Sequence, residues 1–166
     1  YKLTRAAITT LHLYGIPVTI LTKAGKLAER DFDILCPGDT FAVTLTCLDD
    51  ELSRKWEPKA ALPLERIRAL ALAHNRGVKT WVSLEPVVDP DEALKLAVMA
   101  APMVDHFKVG TLNYHPHRLE IDWCGLGWDI KRLLDGLGAK YYLKDDLLKH
   151  MGITREELDK MPRGGA

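Results

Sequence analysis

The sequence predicts a parallel α/β fold on three observations. Short apolar runs with strand character alternate with helical patterns along the whole chain, several of these runs turn polar at their carboxyl ends, and no G-x-G-x-x-G or P-loop sequence follows the first of them. Strand-helix alternation calls for right-handed crossovers and hence a parallel sheet. The choice lies between an open doubly wound sheet and a piece of a barrel, and the missing glycine motifs weaken the nucleotide-binding open sheet. At 166 residues the chain is long enough for one domain with its own core.

Taken in order, Tyr1 to Tyr14 has helical spacing, with Thr4 as a cap, Ala7, Ile8 and Leu11 on one face, and Gly15 and Pro17 as a stop. Val18 to Lys23 reads as the first strand, Ala28 to Leu35 as a short helix, Pro37 to Asp39 as a turn and Phe41 to Thr46 as the second strand. Asp49 or Asp50 can cap a brief helix. Leu64 to Asn75 is a longer one, with Leu64, Ile67, Leu70 and Ala71 inward and Gly77 at its end. Thr80 to Glu85 is the third strand. Asp89-Pro90-Asp91-Glu92 combines a cap, a proline at the first helical position and a glutamate three residues after the cap, so a helix should run to about Ala100. Val104 to Gly110 leads into a fourth strand. A loop is expected from Thr111 to Gly127, a helix from Asp129 to Leu137, a fifth strand from Lys140 to Lys144 and a helix from Asp145 to Met151. Thr154 to Glu157 is a capping box, followed by a frayed tail from Pro162 to Ala166.

Composition narrows the functional classes. Lys plus Arg and Asp plus Glu both number 23, so net charge offers no bulk attraction for nucleic acid or a membrane. No apolar run is long enough to span a bilayer and the first residues do not form a signal peptide, which makes the cytoplasm the default expectation. Cys36, Cys47 and Cys124 are odd in number and widely spaced, as reduced thiols would be.

Side chains alternate faces along a strand, so Ser83 and Glu85 point the same way. In a barrel, the face that holds them also selects Thr44 and Thr46, Lys23 beyond Leu21, and Lys108 with Gly110, giving a polar inner rim at the strand carboxyl ends. Each residue has a plain reading beside the functional one. Lys23 is either a cation over a ligand carboxylate or phosphate or a solvated strand exit; Thr44 and Thr46 are either ligand hydroxyls or simple strand formers. Ser83 and Glu85 need satisfaction if buried. Lys108 is functional or lies on an exposed face. Asn113 sits in a long loop where it can hydrogen-bond a ligand. Glu57 reads as an ion pair with Arg54 that fixes a loop. His115, His117 and Cys124 lack metal-ligand spacing, so no metal site is assigned.

Read together, Leu21-Thr22-Lys23, Arg30 to Leu35, Arg54-Lys55-Trp56-Glu57-Pro58 leading to Arg66, and Ser83-Leu84-Glu85-Pro86-Val87-Val88 resemble the radical S-adenosylmethionine (radical SAM) enzymes. The nearest branch is similar to the DNA repair photolyase or spore photoproduct lyase-like group, whose later strands resemble Lys108 to Tyr114 and Tyr142 to Asp145. The resemblance implies the parallel-stranded part of a partial (β/α)6 TIM-like barrel, with S-adenosylmethionine and a [4Fe-4S] cluster at its open top. It further implies reductive cleavage to a 5′-deoxyadenosyl radical that abstracts a substrate hydrogen, with DNA lesion repair as the branch's activity. Carried onto this sequence, Lys23, Thr44, Thr46, Ser83 and Glu85 become cofactor-binding residues, while Lys108 and Asn113 become catalytic residues that reach cofactor or substrate.

The family's C-x-x-x-C-x-x-C segment is absent from the sequence. Residues 1–151 are therefore expected to be the carboxyl-terminal portion of such a barrel and 152–166 a short helix and tail, with cluster ligands outside the chain. Without upstream neighbours, the first strand would present an edge open to self-association. Two alternatives remain at this point: a non-catalytic α/β module that binds a small ligand or partner, and a cluster-free barrel enzyme with Glu85 and Lys108 as acid and base.

Overall fold

The computed structural model describes residues 3–163. β1 (Thr19–Thr22), β2 (Thr40–Thr44), β3 (Lys79–Leu84), β4 (His106–Val109) and β5 (Tyr141–Leu143) form one sheet in chain order, with every neighbouring pair parallel. A doubly wound sheet requires the strand order to reverse, and here it does not. Right-handed crossovers in a single direction stack the helices on one face and leave the other as the concave side of a barrel wall. β1 is one edge of this sheet.

The convex face carries Phe41, Val43, Leu45, Val82, Leu84, Phe107, Val109 and Leu143, all buried. They share one core with Ile67 and Leu70 of α3 (Pro63–Asn75), Ala93 and Leu96 of α4 (Pro90–Ala100), and Ile130 and Leu134 of α5 (Trp123–Gly136). Truncating one of these large side chains to alanine typically costs about 3–5 kcal/mol, so this face sets the stability of the wall. α6 (Asp145–Met151) and α7 (Arg155–Lys160) pack on the same body, with Leu147, Leu148 and Leu158 in the same core. α1 (Leu3–Leu13) precedes the sheet and buries Ile8.

Local chemistry explains the helix starts. Asp49 accepts from the Leu52 amide at 2.7 Å and caps α2 (Asp50–Trp56), and Asp89 accepts from the Glu92 amide at 3.0 Å to cap α4. Glu92 does not close a capping box on its own helix. Its carboxylate instead accepts from the Leu48 and Asp49 amides at 2.8 and 2.9 Å, tying the exit of β2 to α4. Thr154 and Glu157 form the expected reciprocal capping box.

Several expectations need correction. The segment read as a helix from Ala28 to Leu35 is a 3-10 helix over Gly25–Ile34. α5 starts six residues earlier than expected, at Trp123, so the loop after β4 is shorter and holds a 3-10 turn at Pro116–Leu119. Gly125 and Gly127 disguise this start because glycine is a poor helix former. A Cβ at Gly127 would collide with the Met151 side chain, so that glycine allows α5 and α6 to pack closely. Leu64, expected inward, is 59% exposed; the buried face of α3 runs through Arg66, Ile67, Ala69, Leu70 and Ala73 instead. Leu11 is exposed, leaving Ile8 as the buried residue of α1. Tyr1 and residues 164–166 of the expected tail lie outside the described residues.

Candidate functional site

The register places Thr44, Ser83, Lys108 and Tyr142 in one row across β2 to β5 on the concave face. Thr22 pairs with Val43, so Lys23 falls in line with Thr44 at the end of the row. Two residues further along β2 and β3, Thr46 and Glu85 share the same face, since alternation along a strand has period two. The sequence-predicted rim therefore lies on one face and at one end of the sheet.

Hydrogen bonds divide the rim into two parts. On the β1–β2 side the centre is Glu57, whose side chain is 7% exposed. Lys23 Nζ lies 2.6 Å from Glu57 Oε1, Arg66 NH1 2.6 Å from Oε2, and the Thr46 hydroxyl donates to Oε2 at 2.9 Å. Arg66 is fully buried and also donates to the carbonyls of Thr44 and Ala61, at 2.9 and 2.7 Å. Burial alone would raise the Glu57 carboxyl, but its hydrogen bonds and charge contacts with Lys23 and Arg66 prevail and hold it below the usual carboxylate range. The pairing of Glu57 with Arg54 is thus overturned, since Arg54 faces Asp50 across one helical turn. Lys23 keeps 42% of its side chain exposed and lines a cleft of about 810 Å³ with Trp56, Glu57, Pro58, Ala61 and Glu65.

On the β3–β5 side, Glu85 pairs with Lys144 at the end of β5, and the two side chains are 24% and 40% exposed. Gly110 lies beneath them: a Cβ there would come within 2.9 Å of the Glu85 carboxylate and 3.0 Å of Lys144 Cδ. Ser83, two residues before Glu85 on the same face, is buried and sits beside Lys108 in the row. Lys108 places its ammonium 4.2 Å from the centre of the Trp81 ring, two register steps below on the same face. Asn113 is drawn to α6, donating to Asp146 at 3.1 Å; Thr111 donates to the same carboxylate oxygen at 2.6 Å. Burial pushes the Asp146 carboxyl up, and the Thr111, Asn113 and Leu147 donors more than reverse this.

Glu57 thus brings Lys23, Thr46 and, through Arg66, the Thr44 carbonyl together. Ser83 and Lys108 are adjacent by register, whereas Asn113 belongs to a separate contact with Asp146. Arg66 and Lys144, which fall in the stretches that carry the resemblance, and Asp146 receive no role from the sequence. The available signals were an arginine between inward positions of a helix, and a lysine closing the fifth strand as Lys23 closes the first.

Among the described residues no three cysteines converge to hold a [4Fe-4S] cluster. Cys36 and Cys124 are exposed on different elements, and Cys47 is buried beside Thr46. His115 meets Trp56 edge-on and His117 lies tilted against it, and His117 also contacts the Val88 carbonyl at 2.9 Å. No helix among the described residues is long and apolar enough to cross a membrane.

No family model and no curated protein matches the chain. Solved structures do. SuiB of Streptococcus suis matches with a TM-score of 0.68 and 16% identity, over 95% of this chain and 41% of that one. The α/β architecture with its five-stranded parallel sheet is consistent with a partial radical SAM TIM-like fold. SuiB bound to S-adenosylmethionine gives a TM-score of 0.64 at 16% identity, over 96% of this chain and 41% of that one. SuiB bound to the precursor peptide SuiA gives 0.70 at 16% identity, over 96% and 40%. The chain spans about two fifths of the length of these structures, and at this identity the likeness is one of fold.

Proposed function

We propose that the chain supplies part of the S-adenosylmethionine-binding rim of a radical SAM-type enzyme. The observation that carries this reading is the row from Lys23 through Ser83 to Lys108, with Glu85 two residues beyond it on the same face, at the carboxyl edge of a wall whose fold is shared with a SuiB structure bound to S-adenosylmethionine. In this reading Glu85 accepts from the ribose hydroxyls with Ser83 beside it, and Lys23, steadied by Glu57, meets the methionyl carboxylate from the mouth of the cleft. Thr44 and Thr46 shape the wall between them. Lys108 and Asn113 approach cofactor or substrate from the β4 side.

Together with a reducing [4Fe-4S] cluster, this cofactor supplies the radical chemistry that the resemblance implies. Cys36, Cys47 and Cys124 do not fit the cluster, so its ligands are absent from this chain. Repair of a DNA lesion is the finer reading and rests on the photolyase-like motifs; a net charge of zero adds no electrostatic footprint for nucleic acid. A cluster-free enzyme using Glu85 and Lys108 as acid and base has less support, because Glu85 faces Lys144 and Lys108 sits over Trp81.

Hydrogen exchange of the chain with and without S-adenosylmethionine tests the proposal. Protection is expected at residues 22–26, 83–88 and 108–113 with ligand at about 1 mM, a concentration that detects even the weak end of specific binding. Unchanged exchange at all three segments would overturn it.

A further inference from the structure

At the amino end of the sheet, opposite the polar rim, three side chains stand in series. Asp39 immediately precedes β2 and is buried; its carboxylate accepts from the Val18 and Cys36 amides at 2.8 and 2.7 Å. The same carboxylate meets His12 Nε2, with Oδ2 at 2.9 Å and Oδ1 at 3.1 Å. The other ring nitrogen, Nδ1, faces Cys36 Sγ at 3.8 Å, and the thiol also lies 3.6 Å from the Ile34 carbonyl. Burial would raise the Asp39 carboxyl, but the two amides and His12 hold it low, so an anionic oxygen accepts a hydrogen bond from Nε2–H, which leaves Nδ1 as the acceptor nitrogen facing sulfur. A metal ion needs its ligands to aim at one point, whereas here carboxylate and thiol hydrogen-bond to opposite nitrogens of one ring.

This is the carboxylate-imidazole-nucleophile order by which an otherwise ordinary nucleophile is activated. A cleft of about 340 Å³ opens beside it, lined by Ile16, Pro17, Pro37 and Gly38, and His12, Cys36 and Asp39 are its ionisable side chains among the described residues. The other cysteines serve as internal controls. Cys47 is buried and its thiol is pushed up by burial, while Cys124 is exposed in the first turn of α5.

We propose that Cys36 is a site of reversible S-thiolation by a low-molecular-weight disulfide, with His12 as its proton acceptor and Asp39 as the residue that positions His12. His12 Nδ1 takes the thiol proton as Sγ attacks one sulfur of the disulfide. A new S–S bond forms and the old one breaks, and the departing thiolate keeps the electron pair and recovers the proton from His12. The products are a mixed disulfide on Cys36 and one small thiol, so the disulfide is the sole oxidant required.

The test is reaction of the folded chain with glutathione disulfide, followed by intact mass and peptide mapping. The adduct should form at Cys36 about tenfold faster than at Cys124 at pH 7, with Cys47 unmodified. The pH-rate profile of Cys36 should lie to the acid side of that of Cys124, and in His12→Gln both rate and profile should fall back onto those of Cys124. Equal rates at Cys36 and Cys124 in the unaltered chain overturn the proposal. A folded His12→Gln protein that reacts as fast as the unaltered chain does the same. Should that variant fail to fold, the comparison of the two cysteines decides alone.

Discussion

Glu57 and Glu85 are carboxylates at the same rim of the sheet, each with a lysine across from it, yet they differ in what stands behind them. Behind Glu57 are the fully buried Arg66 and the Thr46 hydroxyl, and Arg66 in turn holds the Thr44 and Ala61 carbonyls. Behind Glu85 is Gly110, which offers space and no donor side chain. A buried charge with several fixed partners is an anchor, because removing any one of them strands the others in a medium that penalises unpaired charge. A half-exposed pair of one carboxylate and one flexible lysine is worth little to stability and can exchange its partner for a ligand group. The first arrangement positions Lys23 and the loop before α3; the second leaves a carboxylate free to accept hydroxyls.

The largest effect should come from breaking the anchor. Arg66→Ala leaves Glu57 with only Lys23 and Thr46 and removes a buried donor from two carbonyls, and a loss of about 3–5 kcal/mol is expected in denaturant or thermal unfolding, a large part of the stability of a domain this size. A loss under about 1 kcal/mol would mean that the cluster is not an anchor. Next comes Gly110→Ala, whose Cβ meets the Glu85 carboxylate and Lys144. It should cost under about 1 kcal/mol, because the Cβ meets only the ends of two flexible side chains, and weaken S-adenosylmethionine binding by displacing Glu85. Unchanged binding would show that the space above Gly110 is not used.

A smaller effect lies in the pH dependence. The Glu57 carboxyl is held below its ordinary 4.5 in the folded state, so its contribution is fully present above that value and is lost as pH falls through the lower folded value. Acid unfolding of Glu57→Gln should therefore be flatter below pH 4.5 than that of the unaltered chain, and the variant should already be less stable at pH 7. Asp39, Glu92 and Asp146 are likewise held low, so the slope should shrink without vanishing.

How much of this was legible in the sequence follows from the range of each interaction. Ser83 and Glu85 could be placed on one face because strand alternation is local, and the capping residues of α2, α4 and α7 were readable for the same reason. That the strands run parallel followed from the alternation of elements, whereas their sequential order did not, because alternation suits a doubly wound sheet equally well. Glu57 was assigned to Arg54, three residues away, because its partners Lys23 and Arg66 become neighbours only once β1, β2 and α3 are assembled. The early start of α5 was hidden because Gly127 is chosen for its contact with Met151, a tertiary reason that overrides helix propensity. Asn113 was read as free to meet a ligand, and its contact with Asp146 depends on where α6 docks.

The measurement that bears most directly on the difference between the two carboxylates is S-adenosylmethionine affinity of Glu85→Gln by isothermal titration, with thermal unfolding of the same sample. Glu85→Gln should fold with a stability within about 1 kcal/mol of the unaltered chain and bind S-adenosylmethionine about tenfold more weakly, the loss of one charge-assisted hydrogen-bonding partner. Unchanged affinity in a folded variant would contradict the assignment of Glu85 as the exchangeable carboxylate of the site.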